Sequence, residues 1–426
     1  MRRSSEHIAS YYAATRSTDT KYPRLDGEHR CDVAVVGGGF TGVSTALHLA
    51  ERGYDVAVIE ANRIGWGASG RNGGQLIDGF VDADKIEKRF GSQAADMARR
   101  MKFESRDIVV RRIEEYAIDC DLKFGFLDVA QRPSHMRDFE EYLAGKKLAN
   151  YAHEIRIVPQ EVMPEYINSD HYIGGLADYG NGHLHPLNLC EGEARAANEL
   201  GAAIFEQSRV LRIQHGANPA VETETGRVVA AKLVLAGNAY LGNAEPRIRH
   251  KIIPAGSYII ATEPFETARA AELLPADMAY CEQTVGLNYF RLSPDKRLLF
   301  GGMCNYSGRD PRDITAALRP KMLKIFPQLE DLAIDYEWGG NIAISINRIP
   351  QFGRIEDNTY YAQGYSGHGL APTHLAGKVL ADIVGGDSEQ FDVFSKVRHF
   401  AVPGGKWLAN PALALGMLYF RLKELL

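Results

Sequence analysis

The stretch Asp32-Val-Ala-Val-Val-Gly-Gly-Gly-Phe-Thr-Gly42 decides the fold of this chain of 426 residues. Its apolar start is typical of a strand that is buried on both faces. The glycines Gly37, Gly39 and Gly42 follow in the pattern Gly-x-Gly-x-x-Gly. After the last of them, apolar residues recur at helical spacing until Gly53, a residue that commonly ends helices. The stretch therefore predicts a strand, a tight turn and a helix.

A second apolar run, Asp55-Val-Ala-Val-Ile59, ends at Glu60, 21 residues after Gly39. Strand, glycine turn, helix, second strand and terminal acid together predict a dinucleotide-binding unit. In such a unit the glycines let the backbone approach a pyrophosphate, the helix N-terminus attracts phosphates, and the acid accepts hydrogen bonds from ribose hydroxyls. These features do not separate NAD from FAD.

The next segment favours a flat ring system as the ligand. It reads Arg63-Ile-Gly-Trp-Gly-Ala-Ser-Gly-Arg-Asn-Gly-Gly-Gln75. Its small residues allow close approach to the backbone, and Arg63, Ser69, Arg71 and Asn72 offer donors to phosphates and ring carbonyls. An irregular loop without a ligand is the alternative interpretation.

Composition excludes several classes of protein. Lys and Arg total 49 against 54 Asp and Glu, a net charge of -5, so the chain lacks the basic surface that nucleic acids require. Five scattered cysteines form no metal-ligand spacing and favour a reducing compartment. No apolar run approaches the length of a membrane span. We therefore expect a cytoplasmic protein without bound metal.

Sequence periodicity predicts further elements along the chain. The predicted strands are 203–210, 228–236, 252–262 and 289–301. The predicted helices are 86–116, 187–200 and, after a second glycine-rich turn at 364–369, 373–384.

These elements predict two interleaved domains, an α/β and an α+β unit. A Rossmann-like dinucleotide-binding domain is expected to take residues 27–80, 184–250 and 347–400. A substrate domain built on a mixed antiparallel sheet is expected to take residues 81–183 and 251–346.

Two terminal segments complete the prediction. Residues 1–26 are expected to form an N-terminal arm. Residues 401–426 read as an amphipathic helix, too short and too charged to span a bilayer. Packing on its own core or on a second subunit is the favoured interpretation for this helix, and contact with a membrane surface is the alternative.

The chain resembles the D-amino-acid-oxidase superfamily of FAD-dependent oxidoreductases, which includes glycine oxidase and sarcosine oxidase. The resemblance rests on the first glycine turn, on Gly65-Trp-Gly-Ala-Ser-Gly-Arg-Asn-Gly-Gly74 and on Gly364-Tyr-Ser-Gly-His-Gly-Leu-Ala371. Gly182-His-Leu-His-Pro-Leu-Asn188 and Trp338-Gly-Gly-Asn-Ile-Ala343 are most similar to the branch that contains γ-glutamylputrescine oxidoreductase.

The resemblance implies which residues contact FAD. Pyrophosphate contacts are expected from the first glycine turn, ribose contacts from Glu60, and phosphate or ribose contacts from Arg63. Adenine contacts are expected from the backbone of Val210, and flavin contacts from the set members within 68–76 and 367–370. The implied set is Gly37, Gly39, Phe40, Thr41, Gly42, Glu60, Arg63, Ala68, Ser69, Asn72, Gly73, Gln75, Leu76, Val210, Gly237, Gly367, His368, Gly369 and Leu370.

Departures from the superfamily pattern narrow the chemistry. Members that oxidise amino acids carry a carboxylate-binding arginine where this chain has Ile342 or a neighbour. A simple α-amino acid is therefore a poor candidate substrate. Members with covalent flavin use a histidine beside the first flavin loop or a cysteine in a later strand, and neither stands near Trp66 or in residues 337–352. The FAD is therefore expected to be non-covalent.

The implied reaction is oxidation of an amine, with hydride passing from its α-carbon to flavin N5. The expected substrate is γ-glutamylputrescine, which would yield γ-glutamyl-aminobutyraldehyde, with oxygen or another electron acceptor as the second partner. Another N-substituted amine or an amino or imino acid is the alternative substrate. A flavin-binding protein without catalysis is the alternative of a different class.

Several side chains are candidates for the substrate side. Trp338 and Tyr258 are predicted to be catalytic, because an aromatic pocket of low dielectric keeps an amine neutral. His368 is predicted to be catalytic because its turn faces the flavin. Trp66 and Tyr365 are further candidates for the aromatic wall, and Arg291 and Arg348 for a polar rim around the glutamyl head. His183 and His185 are weaker candidates, since such histidines are more often structural.

Overall fold

A computed structural model describes residues 6–81, 83–148, 150–284, 287–305 and 310–401. The helix predicted over 401–426 lies outside the described residues, except for residue 401, and so do the first five residues of the predicted arm.

Seventeen strands form in the described part of the chain. In chain order they are β1 Gly27–Val36, β2 Val56–Ile59, β3 Gln75–Leu76, β4 Lys123–Ala130, β5 Ile155–Pro159, β6 Gly174–His183, β7 Ala203–Phe205, β8 Arg212–Gln214, β9 Ala220–Glu222, β10 Gly226–Leu235, β11 Ile253–Thr262, β12 Ala279–Glu282, β13 Tyr289–Leu292, β14 Leu298–Asn305, β15 Ile334–Ile344, β16 Gln351–Glu356 and β17 Thr359–Gln363.

Eleven α-helices accompany them in the described residues. They are α1 Tyr11–Ala14, α2 Phe40–Ala50, α3 Ala83–Phe90, α4 Ser92–Glu115, α5 Pro133–Leu148, α6 Pro186–Glu199, α7 Pro246–Arg249, α8 Thr267–Leu273, α9 Ile314–Ile325, α10 Leu370–Gly385 and α11 Glu389–Ser395. None of these helices combines the length and the hydropathy that a membrane span requires.

The first sheet has a parallel centre. Strand β1 lies between β10 and β2, β10 pairs with β17, and β2 pairs with β7, all in parallel. The end of β1 and the whole of β2 are buried, as expected for strands covered on both faces. Helix α2 packs beside α6 and α10 on one face. This is the predicted Rossmann-like α/β unit, and its three sequence segments are far apart in the chain.

The second sheet is mostly antiparallel and has nine strands in the order β15-β11-β14-β13-β12-β4-β6-β3, with β5 beside β6. Only β12 and β4 run parallel. The two faces of this sheet have different neighbours, and β11 illustrates the difference. Tyr258 and Ile260 pack in a cluster with Leu318 and Met322 of α9. Ile259, the residue between them, packs on the other face with Trp338.

Three predicted boundaries differ from the structure. The strand predicted over 289–301 is a hairpin of β13 and β14, in which Lys296 adopts a φ of 63° at the turn. The strand predicted over 203–210 ends at Phe205. The long helix predicted over 86–116 is broken at Gly91, whose φ of 85° does not fit a helix.

Two further differences concern segments near the predicted cofactor site. Gln75–Leu76 pairs with β6 in the second sheet, although the predicted range of the first domain extends to residue 80. The helix predicted from Thr373 begins at Leu370, directly after Gly369. The remaining domain boundaries stay predictions.

Candidate functional site

The first glycine turn follows β1 and is built by backbone contacts that side chains would block. Gly37 has a φ of 113°, which favours glycine, and its N–H donates to the Ile59 carbonyl oxygen at a distance of 3.0 Å. A Cβ on Gly42 would lie 1.9 Å from the Gly37 carbonyl oxygen. Helix α2 then begins with Gly39 as its N-cap and no side-chain cap. The turn therefore leaves a helix N-terminus available to an anion.

Glu60 lies beside this turn at the end of β2. Its Oε2 accepts from the Gly38 N–H at 2.7 Å, and its Oε1 accepts from the Asn62 N–H at 2.8 Å. Burial raises the pKa of Glu60, while the two backbone donors oppose that shift. The carboxylate is thus held in the position where a ribose-binding acid is expected.

The segment after β2 is fastened to the glycine turn through Ser69. This residue sits in a short 3₁₀ turn, Ala68–Gly70, and its Oγ accepts from the Phe40 N–H at 2.9 Å. A Cβ on Gly39 would lie 2.8 Å from the same Oγ. The predicted flavin segment and the predicted pyrophosphate turn are therefore in direct contact.

Asn72 organises the same segment from within. Its Nδ2 donates to the carbonyl oxygens of Ala68 at 3.1 Å and Ser69 at 2.8 Å, and its Oδ1 accepts from the Gly74 N–H at 2.8 Å. Gly74 has a φ of 75°, and a Cβ there would lie 2.1 Å from the Leu184 carbonyl oxygen. The amide of Asn72 is thus occupied in shaping the backbone that faces the second sheet.

Arg63 is held by two carboxylates. Its Nε and Nη2 donate to Glu6 of the arm at 3.0 and 2.7 Å, and its Nη1 donates to Glu206 at 2.7 Å. Sequence analysis missed Glu6 and Glu206, because acids this far from Arg63 in the sequence carry no local signal. The implied contact between Arg63 and the phosphate or ribose stays a prediction.

The second glycine-rich turn lies at the same edge of the first sheet. Gly364 and Gly367 have φ values of 81° and 96°, and α10 begins after Gly369 without a side-chain cap. The hydroxyls of Tyr365 and Thr41 are 2.8 Å apart and join this turn to α2. Because β1 and β17 are both parallel to β10, their carboxyl ends meet at one edge, where α/β sheets bind ligands.

The second sheet approaches the flavin segment at the Gly73 turn, and the second glycine turn, with the face opposite to α9. A Cβ on Gly73 would lie 2.6 Å from Cε2 of Tyr289, and Nε of Arg291 donates to the Gly73 carbonyl oxygen at 2.9 Å. At the other turn, Cδ1 of Ile342 lies 3.5 Å from the position of a Cβ on Gly367. We call this surface the inner face; it carries Ser257, Tyr289, Gly301, Gly340 and Ile342 at successive paired positions.

Comparison with known proteins identifies the family. Residues 32–383 match the family model described as DAO, FAD dependent oxidoreductase. The chain belongs to this family of FAD-dependent oxidoreductases. The match contains both glycine turns, Glu60 and the inner face of the second sheet.

Individual relatives agree with this assignment. The chain is 44% identical to gamma-glutamylputrescine oxidoreductase of Escherichia coli, with 99% of each chain covered. It is 40% identical to a probable oxidoreductase, OrdL, of Haemophilus influenzae, covering 98% of this chain and 97% of that one.

Solved structures support the fold. Glycine oxidase from Geobacillus kaustophilus superposes with a TM-score of 0.73 at 22% identity, covering 88% of this chain and 100% of the other. L-proline dehydrogenase from P. horikoshii gives a TM-score of 0.69 at 22% identity, covering 86% and 96%. These matches confirm the predicted fold class.

The residues of this DAO-family enzyme fit its cofactor, FAD. Two helix N-termini, whose N-cap residues Gly39 and Gly369 carry no capping side chain, converge on one edge of the first sheet, and anionic groups bind favourably at such ends. Gly39 and Gly73 keep the backbone bare where a Cβ would press on Ser69 or Tyr289. The Glu60 carboxylate adds the acceptor that a ribose needs.

The remaining residues of the implied FAD set lie around these turns. Leu76 is fully buried, and Nε2 of Gln75 donates to the Tyr280 carbonyl oxygen at 3.2 Å. Val210 packs against the core of the first sheet, and Gly237 follows β10 at the same edge as Gly37. The structure thus brings the set together, and each individual contact with FAD stays a prediction.

Tyr258 does not lie on the inner face. Its side chain is 1% exposed, packs in the cluster that includes α9, and donates from its hydroxyl to Oδ1 of Asp310 at 3.0 Å. The alternation of side chains along β11 places it on the helix-covered face. We therefore do not propose Tyr258 as a catalytic residue.

Trp338 lies on the side of the inner face but is covered by other residues. Its side chain is 2% exposed, its Nε1 donates to the Arg71 carbonyl oxygen at 2.9 Å, and its ring contacts Tyr12 edge-on at 5.3 Å. Trp66 is likewise engaged, with its Nε1 donating to the Glu6 carbonyl oxygen at 2.9 Å. Both indoles hold the arm and the flavin segment together, and neither is kept as a substrate wall.

The two predicted histidines have separate environments. His185 caps α6, because its Nδ1 accepts from the Asn188 N–H at 3.1 Å, and its Nε2 lies 3.2 Å from Oγ1 of Thr15. Burial, and then the charge of Arg291, lower the pKa of His185 to about 3. His183 is buried, and burial also lowers its pKa. His185 therefore has a structural role as a helix cap.

His368 remains at the second glycine turn, where the sequence predicted it. Although the residue as a whole is exposed, the protein packed around its ring, and then the charge of Arg348, lower the pKa of His368. Its backbone N–H donates to the Tyr365 carbonyl oxygen at 3.2 Å.

Sequence analysis missed Tyr289 as a site residue. The residue was recognised only as the start of a strand, although its ring touches Gly73 of the flavin segment. The pairing of Tyr289 with Gly301 across the β13–β14 hairpin is the signal that could have found it, once the hairpin is known.

Proposed function

We propose that this enzyme oxidises the primary amine of γ-glutamylputrescine to γ-glutamyl-aminobutyraldehyde. The amine-bearing carbon gives up a hydride, for which bound FAD supplies the acceptor at N5. Water then hydrolyses the substrate imine to the aldehyde and ammonia. The 44% identity to the Escherichia coli enzyme of that name, over 99% of both chains, supports this choice of substrate.

The observation that carries the proposal is the apolar residue at the second glycine turn. Ile342 lies 3.5 Å from the Cβ position of Gly367, where amino-acid-oxidising members of the superfamily are expected to carry an arginine. A substrate carboxylate next to the oxidised carbon would therefore be buried without a cation, which is costly. A γ-glutamyl amine avoids this cost, because its carboxylate is several bonds from that carbon.

The proposed FAD site uses the two helix N-termini for charge. The N-terminus of α2, with Gly37, Gly39 and Gly42, is proposed to face the pyrophosphate. The N-terminus of α10, after Gly369, is proposed to face the flavin, where its positive end stabilises negative charge on the reduced ring. Glu60 is proposed to bind the ribose.

The distal glutamyl head needs a polar partner, and the two predicted arginines are now distinguished. Arg291 is 3% exposed and donates to the carbonyl oxygens of Gly73 and Leu184 and to the Tyr12 hydroxyl, which places its guanidinium inside the protein. Arg348 is exposed, and its charge reaches His368. We therefore propose Arg348 as the partner of the glutamyl carboxylate.

Anaerobic reduction of the flavin tests the proposal. We expect γ-glutamylputrescine to bleach the flavin absorbance faster than putrescine, and sarcosine, glycine and D-alanine to bleach it slowly. Rapid reduction by D-alanine or sarcosine would return the chain to the amino-acid oxidases. No reduction by any amine would favour a flavin-binding protein without catalysis.

Admitting air to the reduced enzyme then tests the electron acceptor. Complete reoxidation within seconds supports oxygen as the acceptor. Slow reoxidation in air, with fast reoxidation by an added quinone, supports a different acceptor. The same enzyme preparation serves both experiments.

A further inference from the structure

Four helices of the first domain enclose a cluster of polar side chains. Each of α2, α4, α6 and α10 contributes one residue that is at most 1% exposed, and these are Ser44, Arg112, Glu193 and His374. Nη1 of Arg112 donates to Oε1 of Glu193 and to Oγ of Ser44, each at 3.1 Å. Nε2 of His374 lies 3.0 Å from the other carboxylate oxygen, Oε2. We call Arg112, Glu193 and His374 the buried triad.

The hydrogen bonds of His374 fix the net charge of the buried triad. The Leu370 carbonyl oxygen, 2.7 Å from Nδ1, can only accept, so Nδ1 carries a proton. A second proton lies between Nε2 and Oε2 of Glu193, because two lone pairs would otherwise face each other at 3.0 Å. The histidine–glutamate pair is therefore neutral as a whole. Arg112 is always protonated, so the buried triad carries one net positive charge.

The ring of His374 lies beside the first residues of two helices. It is bonded to Leu370, with which α10 begins, and its centroid is 4.8 Å from the ring centroid of Phe40, with which α2 begins. A helix N-terminus carries positive partial charge and is an unfavourable place for a cation. Positive charge thus accumulates where an anion at the two N-termini would balance it.

The first glycine turn has no cationic side chain of its own. Residues 37–42 contain neither lysine nor arginine, and the carboxylate of Glu60 lies beside them. Arg63 is already bonded to the carboxylates of Glu6 and Glu206. Because an unbalanced buried charge is costly, a diphosphate at this turn needs a positive charge from another part of the protein.

We propose that the buried triad supplies the counter-charge for the diphosphate of FAD, and that His374 positions this charge at the N-termini of α2 and α10. His374 is a positioning residue, because it acts through Phe40 and Leu370. A buried ion pair often adds little to stability, which fits a role in holding the cofactor. The inference rests on the proposed placement of FAD at the first glycine turn.

Two holoenzyme variants separate charge from structure. His374→Gln keeps a hydrogen-bond donor for Glu193 but removes one positive charge. The double variant His374→Gln/Glu193→Gln also removes the negative charge and so restores the net charge of the wild type, while a further native bond is lost. The rate constant of FAD release is measured from the rise of flavin fluorescence after dilution, and the melting temperature is measured alongside.

His215 provides a matched control at the other end of the first sheet. Its Nε2 lies 2.8 Å from Oε2 of Glu245, and its Nδ1 lies 3.3 Å from Oγ1 of Thr359. Thr359 begins β17, whereas the second glycine turn follows the end of that strand. His215→Gln therefore disrupts a similar histidine–glutamate pair away from the cofactor edge.

The proposal predicts a rescue by the second substitution. His374→Gln should release FAD about tenfold faster or more, because a charge lost from a buried site is weakly screened. The double variant should release FAD within about threefold of the wild-type rate, since its net charge is restored, although its melting temperature is no higher than that of the single variant. His215→Gln should stay within about twofold of wild type, because it lies far from the cofactor edge.

Arg112 gives an independent comparison that does not depend on the double variant folding. Arg112→Lys and Arg112→Gln both keep a donor for Glu193, but only the lysine keeps the charge. The glutamine variant should therefore release FAD faster than the lysine variant by about tenfold. Equal rates of release would show that the charge of the buried triad does not act on FAD.

Three other outcomes would overturn the inference. They are an unchanged rate of FAD release in His374→Gln, a double variant that releases FAD at least as fast as the single variant, and a His215→Gln control that reproduces the change. None of these measurements uses an amine, so they do not depend on the proposed substrate. Normal flavin content in a folded Gly39→Glu protein would instead show that the placement of FAD is wrong.

Discussion

The first glycine turn and the inner face of the second sheet approach the same cofactor site, but they are built in different ways. The turn is built by backbone from residues 37–60: Gly37 bonds to Ile59, Glu60 accepts from Gly38, and Gly42 leaves room for the Gly37 carbonyl oxygen. The inner face consists of side chains from strands far apart in sequence, such as Tyr289 and Ile342. The shape of the turn is set by backbone conformation, and the shape of the inner face is set by side-chain packing.

This difference predicts how each region responds to change. A side chain added at Gly37 or Gly42 meets backbone, which cannot move aside cheaply, and a negative charge added anywhere in the turn meets the proposed pyrophosphate position. A substitution on the inner face meets other side chains, which can repack at a cost of a few kcal/mol. Substitutions in the turn should therefore either abolish FAD binding or leave it intact, whereas substitutions on the inner face should lower stability or activity by graded amounts.

The largest expected effect is in the turn. Gly39→Glu should abolish flavin binding, because its Cβ would lie 2.8 Å from Oγ of Ser69 and its carboxylate would repel the pyrophosphate. The ratio of flavin to protein absorbance measures the loss, and circular dichroism checks the fold. Gly145→Glu, on the exposed side of α5 with no atom within 4 Å of its Cβ, is the control. Normal flavin content in a folded Gly39→Glu protein would refute the placement of the site.

Acid precipitation should release all of the flavin. The prediction follows from the absence of a histidine near Trp66 and of a cysteine in residues 337–352. The structure sharpens the test, because Cys304 packs against the same small cluster as Ile342. Flavin that stays with the pellet of wild-type protein, but not of Cys304→Ala, would identify a covalent bond from the inner face.

Arg291 connects the two regions and should show a graded effect. Arg291→Met leaves the carbonyl oxygens of Gly73 and Leu184 without their donor, which should lower the free energy of unfolding by about 2–4 kcal/mol. Urea unfolding of the holoenzyme measures the change. Unchanged stability, with KM raised only for glutamyl substrates, would restore Arg291 as the partner of the glutamyl head.

Lowering the pH should decrease the free energy of unfolding through His185, which lies beside the arm. Its pKa is lowered to about 3 in the folded state, against about 6.5 in an unfolded chain, so the unfolded state binds the proton more readily. Stability is therefore lost as pH falls from about 6.5 toward 3. Between pH 6.5 and 5 the loss from this one group is about 2 kcal/mol.

The variant His185→Asn isolates this contribution. Asparagine can still cap α6 but does not titrate in this range. The pH dependence of its unfolding free energy should be shallower than that of the wild type by about 1–2 kcal/mol over the same interval. Parallel curves would show that His185 titrates alike in both states.

The smallest effect is expected on the helix-covered face. Tyr258→Phe removes a hydrogen bond to Asp310 and should cost about 1 kcal/mol of stability. Flavin reduction should stay within about twofold of wild type, since one lost contact on the far face does not reach the substrate. A loss of flavin-reduction rate of about tenfold or more in Tyr258→Phe would reverse the assignment of the two faces.

The sequence predicted the dinucleotide unit because its signals are local. Glycine spacing, the apolar strands and Glu60 all lie within residues 32–60, and each reports on the conformation of its own neighbourhood. The same reasoning found the second turn at Gly364. The FAD cofactor was instead implied by the resemblance to the superfamily, and the family match confirms it.

The inner face was harder to predict, because strand alternation reveals only that neighbours point to opposite sides. It shows that Tyr258 and Ile259 differ, but α9 decides which side is covered, and α9 is distant in sequence. The contacts of Arg63 and Trp338 with the arm were missed for a similar reason. Their partners, Glu6 and Tyr12, come from the arm, and no spacing rule relates them.

The hydrogen bond between Thr41 and Tyr365 also bears on when the protein can acquire its cofactor. The two residues are 324 positions apart, and β1 pairs with β10, which is itself distant in sequence. Chains made on a ribosome emerge N-terminus first, and contacts of such long sequence separation form slowly. The glycine turn is translated early, but the edge it shares with α10 closes only after nearly the whole chain has emerged. We therefore expect FAD to bind late in the biogenesis of this enzyme.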